Sequence, residues 1–133
     1  MIIEKVNIVR TLKSGVFTLE MGDDGVLRLH VSGDKEINLA GYQEMVKRIG
    51  EISDGKPVPV FASGDEFMIP DEDVRKLMTR SDSNPYSIAS AILVKSISQR
   101  LIGNFFVKVM KPERPFRIFT NEEEALEWLK TFL

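Results

Sequence analysis

The last third of the chain constrains the fold most, because its hydrophobic period switches twice between that of a strand and that of a helix. Residues 87–95 form an apolar run, 96–111 carry helical spacing, 115–120 read as a short strand and 121–133 as a second helix. A strand covered on both faces reads as a nearly continuous apolar run, and parallel neighbours need a long crossover between them, usually a helix. The segment therefore asks for an open α/β sheet. Its punctuation agrees. Ser96 and Gln99 have capping-box spacing, Pro112 ends the first helix, and Thr120 or Asn121 caps the second. Ile97, Leu101, Ile102, Phe105, Phe106 and Val109 form a broad apolar stripe; Ala125, Leu126, Trp128, Leu129, Phe132 and Leu133 are expected to face inward.

Upstream, residues 16–21 and 26–31 alternate at period two around Gly22-Asp-Asp-Gly25, a hairpin signal because these residues tolerate positive φ. Residues 1–12 alternate more loosely and are read as an extra edge strand or an extended arm. Asn38 is a good N-cap for a helix over 39–52, closed by Asp54-Gly55. Residues 57–62 resemble a buried strand, with Pro57 and Pro59 at its start or at a bulge, since each removes a ladder donor. A short helix follows, from Pro70 or Asp71 to Thr79, its acidic first turn suiting the helix dipole. The whole chain, 1–133, is expected to form one mixed, mostly parallel sheet with about four helices, in a single α/β domain.

Composition excludes several classes. A chain of 133 residues, 43% hydrophobic and 29% charged, has the make-up of an ordinary globular protein and should bury roughly two-thirds of its unfolded surface. No apolar run approaches the roughly 20 residues of a membrane-spanning helix. The start of the chain lacks a basic region followed by an apolar stretch, and there is no cysteine. These features lead to an expected cytoplasmic location. A net charge of −2 without a dense basic surface argues against nucleic acid as a partner.

Four stretches resemble a known family: Ala91-Ile-Leu-Val; Arg100-Leu-Ile-Gly-Asn-Phe-Phe106; Lys111-Pro112; and Phe119-Thr-Asn-Glu-Glu-Glu-Ala-Leu-Glu-Trp-Leu129. Together they resemble the STAS domain, the fold of bacterial anti-sigma-factor antagonists, and more narrowly its uncharacterised SpoIIAA-like relatives. The narrower match covers about residues 88–130; the first half of the chain agrees mainly in element order. The resemblance implies a non-catalytic protein-interaction or regulatory module with an unidentified protein partner, a homodimer being one form of it. Its alternative is a carrier of a small apolar or amphipathic, lipid-like ligand. No cofactor and no metal are expected. Antagonist STAS proteins carry a phosphorylatable Ser or Thr at the start of the helix after the third core strand, where the dipole favours phosphate. In residues 63–73 the sole hydroxyl is Ser63, too early for that position, and the helix starts at Asp71 among further acids. The switch region of Ser63 and Asp71 is thus expected to be degenerate.

The remaining chemistry-bearing residues have structural readings. His30 alternates with Arg28 on the polar face of the hairpin, and a lone histidine without clustered carboxylates or Cys reads as a surface strand residue. Asp23, Asp24, Asp34 and Glu36 read as turn formers. Ser63-Gly64-Asp65 lacks the G-x-S-x-G pattern, and no base is suitably placed in the sequence. No catalytic residue is therefore assigned. Two surfaces remain. A basic stripe of Arg100, Asn104, Lys108 and Lys111, extended by Arg114 and Arg117, is a candidate contact surface for an acidic partner or an anionic head group. Phe105, Phe106, Met110 and Trp128 are candidates for an apolar pocket between the last two helices.

Overall fold

The structure, a computed structural model, describes residues 6–32, 37–65 and 70–133. Among these, six strands lie side by side in chain order: β1 (Ile8–Ser14), β2 (Phe17–Gly22), β3 (Leu27–Val31), β4 (Val58–Gly64), β5 (Ser87–Leu93) and β6 (Phe116–Phe119). β1, β2 and β3 are antiparallel to one another; β3, β4, β5 and β6 run parallel. The helices are α1 (Leu39–Ile52), α2 (Glu72–Met78), α3 (Ile97–Phe105) and α4 (Glu122–Lys130). The loosely alternating start of the chain supplies the edge strand β1; residues 1–5 and the turn residues Asp34 and Glu36 lie outside the described set.

Local chemistry explains the boundaries. Gly25 turns the β2–β3 hairpin at φ +83°, a conformation that would strain a side chain. Asn38, Ser96 and Asn121 each accept a hydrogen bond from a backbone N–H three residues on, capping α1, α3 and α4. Gln99 reaches back one residue beyond the N-cap that a capping box would engage, its Oε1 accepting from the Lys95 N–H at 2.8 Å. The register of the β4–β5 ladder shifts between Val58 and Pro59, which is the irregularity the two prolines require. The helix expected over 96–111 is broken: α3 gives way to a π turn, Phe106–Met110, closed by Lys111 in the left-handed region. The Lys111 N–H bonds the Phe106 carbonyl, five residues back.

The two faces of the sheet differ. On the front face, Phe17, Leu19, Met21, Leu27, Leu29, Val31 and Val60 pack with Tyr42, Met45, Ile49 and Ile52 of α1 and Val74 of α2. On the back, Phe61, Ala89, Ala91 and Phe119 pack with Ala125 and Leu129 of α4. α3 lies on the front side over β6, where Gly103 sits against Ile118. This division follows from handedness. Right-handed crossovers between parallel strands that advance in one direction put every crossover helix on the same face.

The hairpin also holds the least exposed ion pair among the described residues. Arg28 grips the Asp24 carboxylate with two N–H···O bonds of 2.9 Å, and the Val26 N–H adds a third at 3.1 Å. Burial works against the charge on Asp24, but the Arg28 and Val26 hydrogen bonds outweigh it and hold its carboxyl below the ordinary value. A depressed folded-state pKa gives stability that is present above the unfolded value and lost as pH falls through the folded one. Asp24→Asn should therefore be about 1–3 kcal/mol less stable than the parent near neutral pH. That gap should close as pH falls below the ordinary carboxylate value of about 3.9. Urea unfolding of both proteins across the acid range measures it, and a gap independent of pH would refute the assignment.

Candidate functional site

The front face is not evenly covered. α1 packs on β1 and β2 and touches α2, while α3 packs on β6 and on the π turn. Between these two groups the front of β4 and β5 presents Ala62, Ser90 and Ile92, two of them small side chains and none fully buried. A cavity of about 230 Å³ opens over them. Val74 and Met78 of α2 line one side, Ile102 and Phe106 the other, and Phe116 and Ile118 continue its floor onto β6. Phe106 is buried and stacks at a tilt on Phe116, with ring centroids 4.7 Å apart, so the π turn supplies the inner wall.

Polar groups border the cavity. The Tyr42 and Ser83 hydroxyls are 3.0 Å apart, and Ser83 donates to the Leu77 and Arg80 carbonyls. Burial raises the Tyr42 hydroxyl above its ordinary pKa, with the Ser83 hydrogen bond acting the other way, so it stays a neutral phenol. Arg114 donates through Nη1 to the carbonyls of Asn84 and Ser87, tying the approach of β6 to the start of β5. Its Nε and Nη2 make no hydrogen bond to a described residue.

Outside the cavity, α3 is left open. None of its nine residues is buried. Ile97, Leu101, Phe105 and Val109, four residues apart, are 58–76% exposed, and Ile102 joins them at 36%. Five of the nine large apolar side chains exposed among the described residues thus stand on this one segment.

The candidate surfaces read from sequence are rearranged. Arg100, Asn104, Lys108 and Lys111 are exposed along α3 and its π turn, but the stripe does not continue to Arg114 and Arg117. Arg114 is half-buried and engaged with backbone carbonyls. Arg117 points to the back face, its guanidinium over the rings of Phe119 (5.1 Å) and Trp128 (5.9 Å). The pocket expected from Phe105, Phe106, Met110 and Trp128 does not form. Phe106 faces the front cavity, Phe105 faces outward, and Trp128 packs with Phe119 and Phe132 behind the sheet. Periodicity marks a helix's apolar side without saying which face of a sheet it meets.

One constellation was missed. The β3–β4 register pairs His30 with Ser63, and His30 Nδ1 lies 3.0 Å from the Ser63 hydroxyl; Nε2 lies 3.5 Å from Asp65. A base therefore does stand beside Ser63, brought from 33 residues away by parallel pairing. The group sits on the polar back of the sheet in a row with Thr18, and both His30 and Asp65 are about half exposed. It links β3 to β4 at their C-terminal ends. Asp71 precedes α2 without a side-chain capping bond, and its carbonyl accepts from Arg75. Only knowledge of strand pairing would have revealed the His30–Ser63 contact.

The family model for a domain of unknown function, DUF7793, matches residues 19–133. The chain belongs to that family. A crystal structure of an uncharacterised DUF3478-family protein with a SpoIIAA-like fold, from Shewanella loihica PV-4, superposes with a TM-score of 0.52 at 14% identity, over 97% of this chain and 98% of that one. The DUF7793 chain therefore has a SpoIIAA-like α/β fold. A protein of unknown function from Arthrobacter sp. FB24 is 24% identical over 84% of this chain and 90% of that one, with a TM-score of 0.29. No curated protein matches the sequence. Among the described residues no helix is long and apolar enough to cross a membrane.

Gly103 is where α3 comes close to the sheet. A Cβ there would stand 2.8 Å from Ile118 Cδ1. Gly103→Leu should push α3 outward and destabilise its packing by about 1–3 kcal/mol. Amide exchange should accelerate across residues 97–110 while β4 keeps its protection; unchanged exchange in α3 would show that the helix does not rest on this contact.

Proposed function

We propose that this domain is a non-catalytic binding module that holds a small amphipathic molecule between α3 and the α1–α2 pair. The cavity carries the reading. An apolar cavity of about 150 Å³ suffices to bind benzene, whereas drug-sized ligands occupy about 300–1,000 Å³. A volume of about 230 Å³ lies between these limits and suits one aromatic ring or a short acyl chain better than a whole lipid. The lining is chiefly apolar. The unbonded side of the Arg114 guanidinium offers a carboxylate or sulfonate two further donors, so the ligand class is a small apolar anion.

An interaction role, which the SpoIIAA-like resemblance suggests, is favoured by a different observation, the uncovered outer side of α3. The two readings use opposite sides of one helix and are compatible.

Titration with anilinonaphthalene sulfonate, followed by its fluorescence and competed with octanoate, tests the cavity. Ile92 projects from β5 toward the helices, so Ile92→Trp should fill the space and weaken the probe at least tenfold with an unchanged circular dichroism spectrum. Ser63→Ala, on the back face, should leave the titration as it was. Equal binding by Ile92→Trp and the parent would place the probe elsewhere and remove the proposal.

A further inference from the structure

The outer side of α3 has a second property besides being apolar. Between Ser83 and Pro112 the sequence contains four of the chain's 18 Lys and Arg residues and none of its 20 Asp and Glu. Lys95 precedes α3, Arg100 and Lys108 stand beside its apolar stripe, and Lys111 follows, all exposed. Asp82 and Glu113 bound this stretch, the first paired with Arg80 and the second accepting from the Ser81 N–H, while Glu122, Glu123 and Glu124 open α4 on the other face of the sheet.

We propose that the outer side of α3 docks on the surface of an anionic lipid bilayer. An interfacial helix buries one apolar side at the boundary of the acyl chains and sets its Lys and Arg among anionic head groups. Ile97, Leu101, Phe105 and Val109 form such a side, and the long stems of Lys108 and Lys111 let their charges reach the head groups. Two features favour a bilayer over a protein partner. A stable protein interface takes about 20–30 residues from each side, whereas the outer apolar patch is four side chains along α3 and its π turn. Pairing α3 with its copy across a two-fold axis would also bring Arg100 and Lys108 of each chain against like charge, which costs free energy in a protein interface and is relieved on an anionic membrane.

Sedimentation with vesicles of phosphatidylcholine, alone or mixed with phosphatidylglycerol, tests this. The protein should pellet with the mixed vesicles and stay in solution with phosphatidylcholine alone, and added salt should release it. Leu101→Asp combined with Phe105→Asp should abolish binding; both positions are exposed, so the fold should persist by circular dichroism. Arg100→Gln and Lys108→Gln, which leave the apolar side intact, should each weaken binding about fivefold. Binding that ignores phosphatidylglycerol, variants that bind like the parent, or no binding to either vesicle would overturn the proposal. So would a dimer in solution that Leu101→Asp dissociates, since that assigns the stripe to a second copy. The vesicle assay reads the outer side of α3 and the probe titration its inner side, so the two proposals succeed or fail separately.

Discussion

The crossovers β3–α1–β4, β4–α2–β5 and β5–α3–β6 are each forced to one hand by the twist of the strands they join. Because the strands also advance across the sheet in one direction, all three helices must lie on the front. Three helices then share four parallel strands, and their spacing is set by what each packs against. α1 turns toward the antiparallel hairpins, where Phe17, Leu19 and Met21 meet Tyr42, Met45 and Ile49. α3 is drawn to the far edge by Gly103 on Ile118 and Phe106 on Phe116. α2 has only seven residues and cannot bridge the interval. The cavity over Ala62, Ser90 and Ile92 is the space that these three placements leave.

The back of the sheet follows from the same constraint. With every crossover helix in front, the back is covered by the single helix after the last strand. α4 shields Phe61, Ala89, Ala91 and Phe119, and the chain end beyond it reaches Gly25 at the head of β3. Among the described residues no helix covers the antiparallel part of the sheet on that side. Its outward residues are accordingly polar: Thr18 and Glu20 on β2, Arg28 and His30 on β3. His30, Ser63 and Asp65 meet because a polar face at the end of parallel strands gathers such side chains and lets them satisfy one another.

Local signals and tertiary arrangement were not equally legible in the sequence. The strands, the caps at Asn38, Ser96 and Asn121, and the hairpin at Gly25 depend on neighbours within a few residues and could be read directly. The class of sheet followed from their order. The candidate pocket could not be read, because it required knowing that α3 and α4 lie on opposite faces; Phe106 and Trp128 are close in pattern and separated by the sheet. The stripe on α3 is the subtler case. Its six apolar residues have the spacing of a core helix, yet only Phe106 of them is buried; it lies one turn after Ile102, on the side of α3 that meets the sheet. Periodicity shows that a helix has an apolar side; whether that side is covered depends on an excess of apolar surface over available partners, a property of the whole fold.

α3 is therefore a helix with two unlike sides and little holding it. Its inner side, Ile102, Gly103 and Phe106, borders the cavity, and its outer side carries Ile97, Leu101 and Phe105 beside Arg100 and Lys108. A molecule in the cavity would lie against Ile102 and Phe106, and through them against the segment that carries the stripe. Free-energy linkage makes such an influence reciprocal: the factor by which a cavity ligand changes docking of the outer side is the factor by which docking changes affinity for that ligand. A helix buried in the core would be too costly to shift for such coupling to operate. One that rests on a glycine contact and a single buried ring has few contacts to break before it can shift.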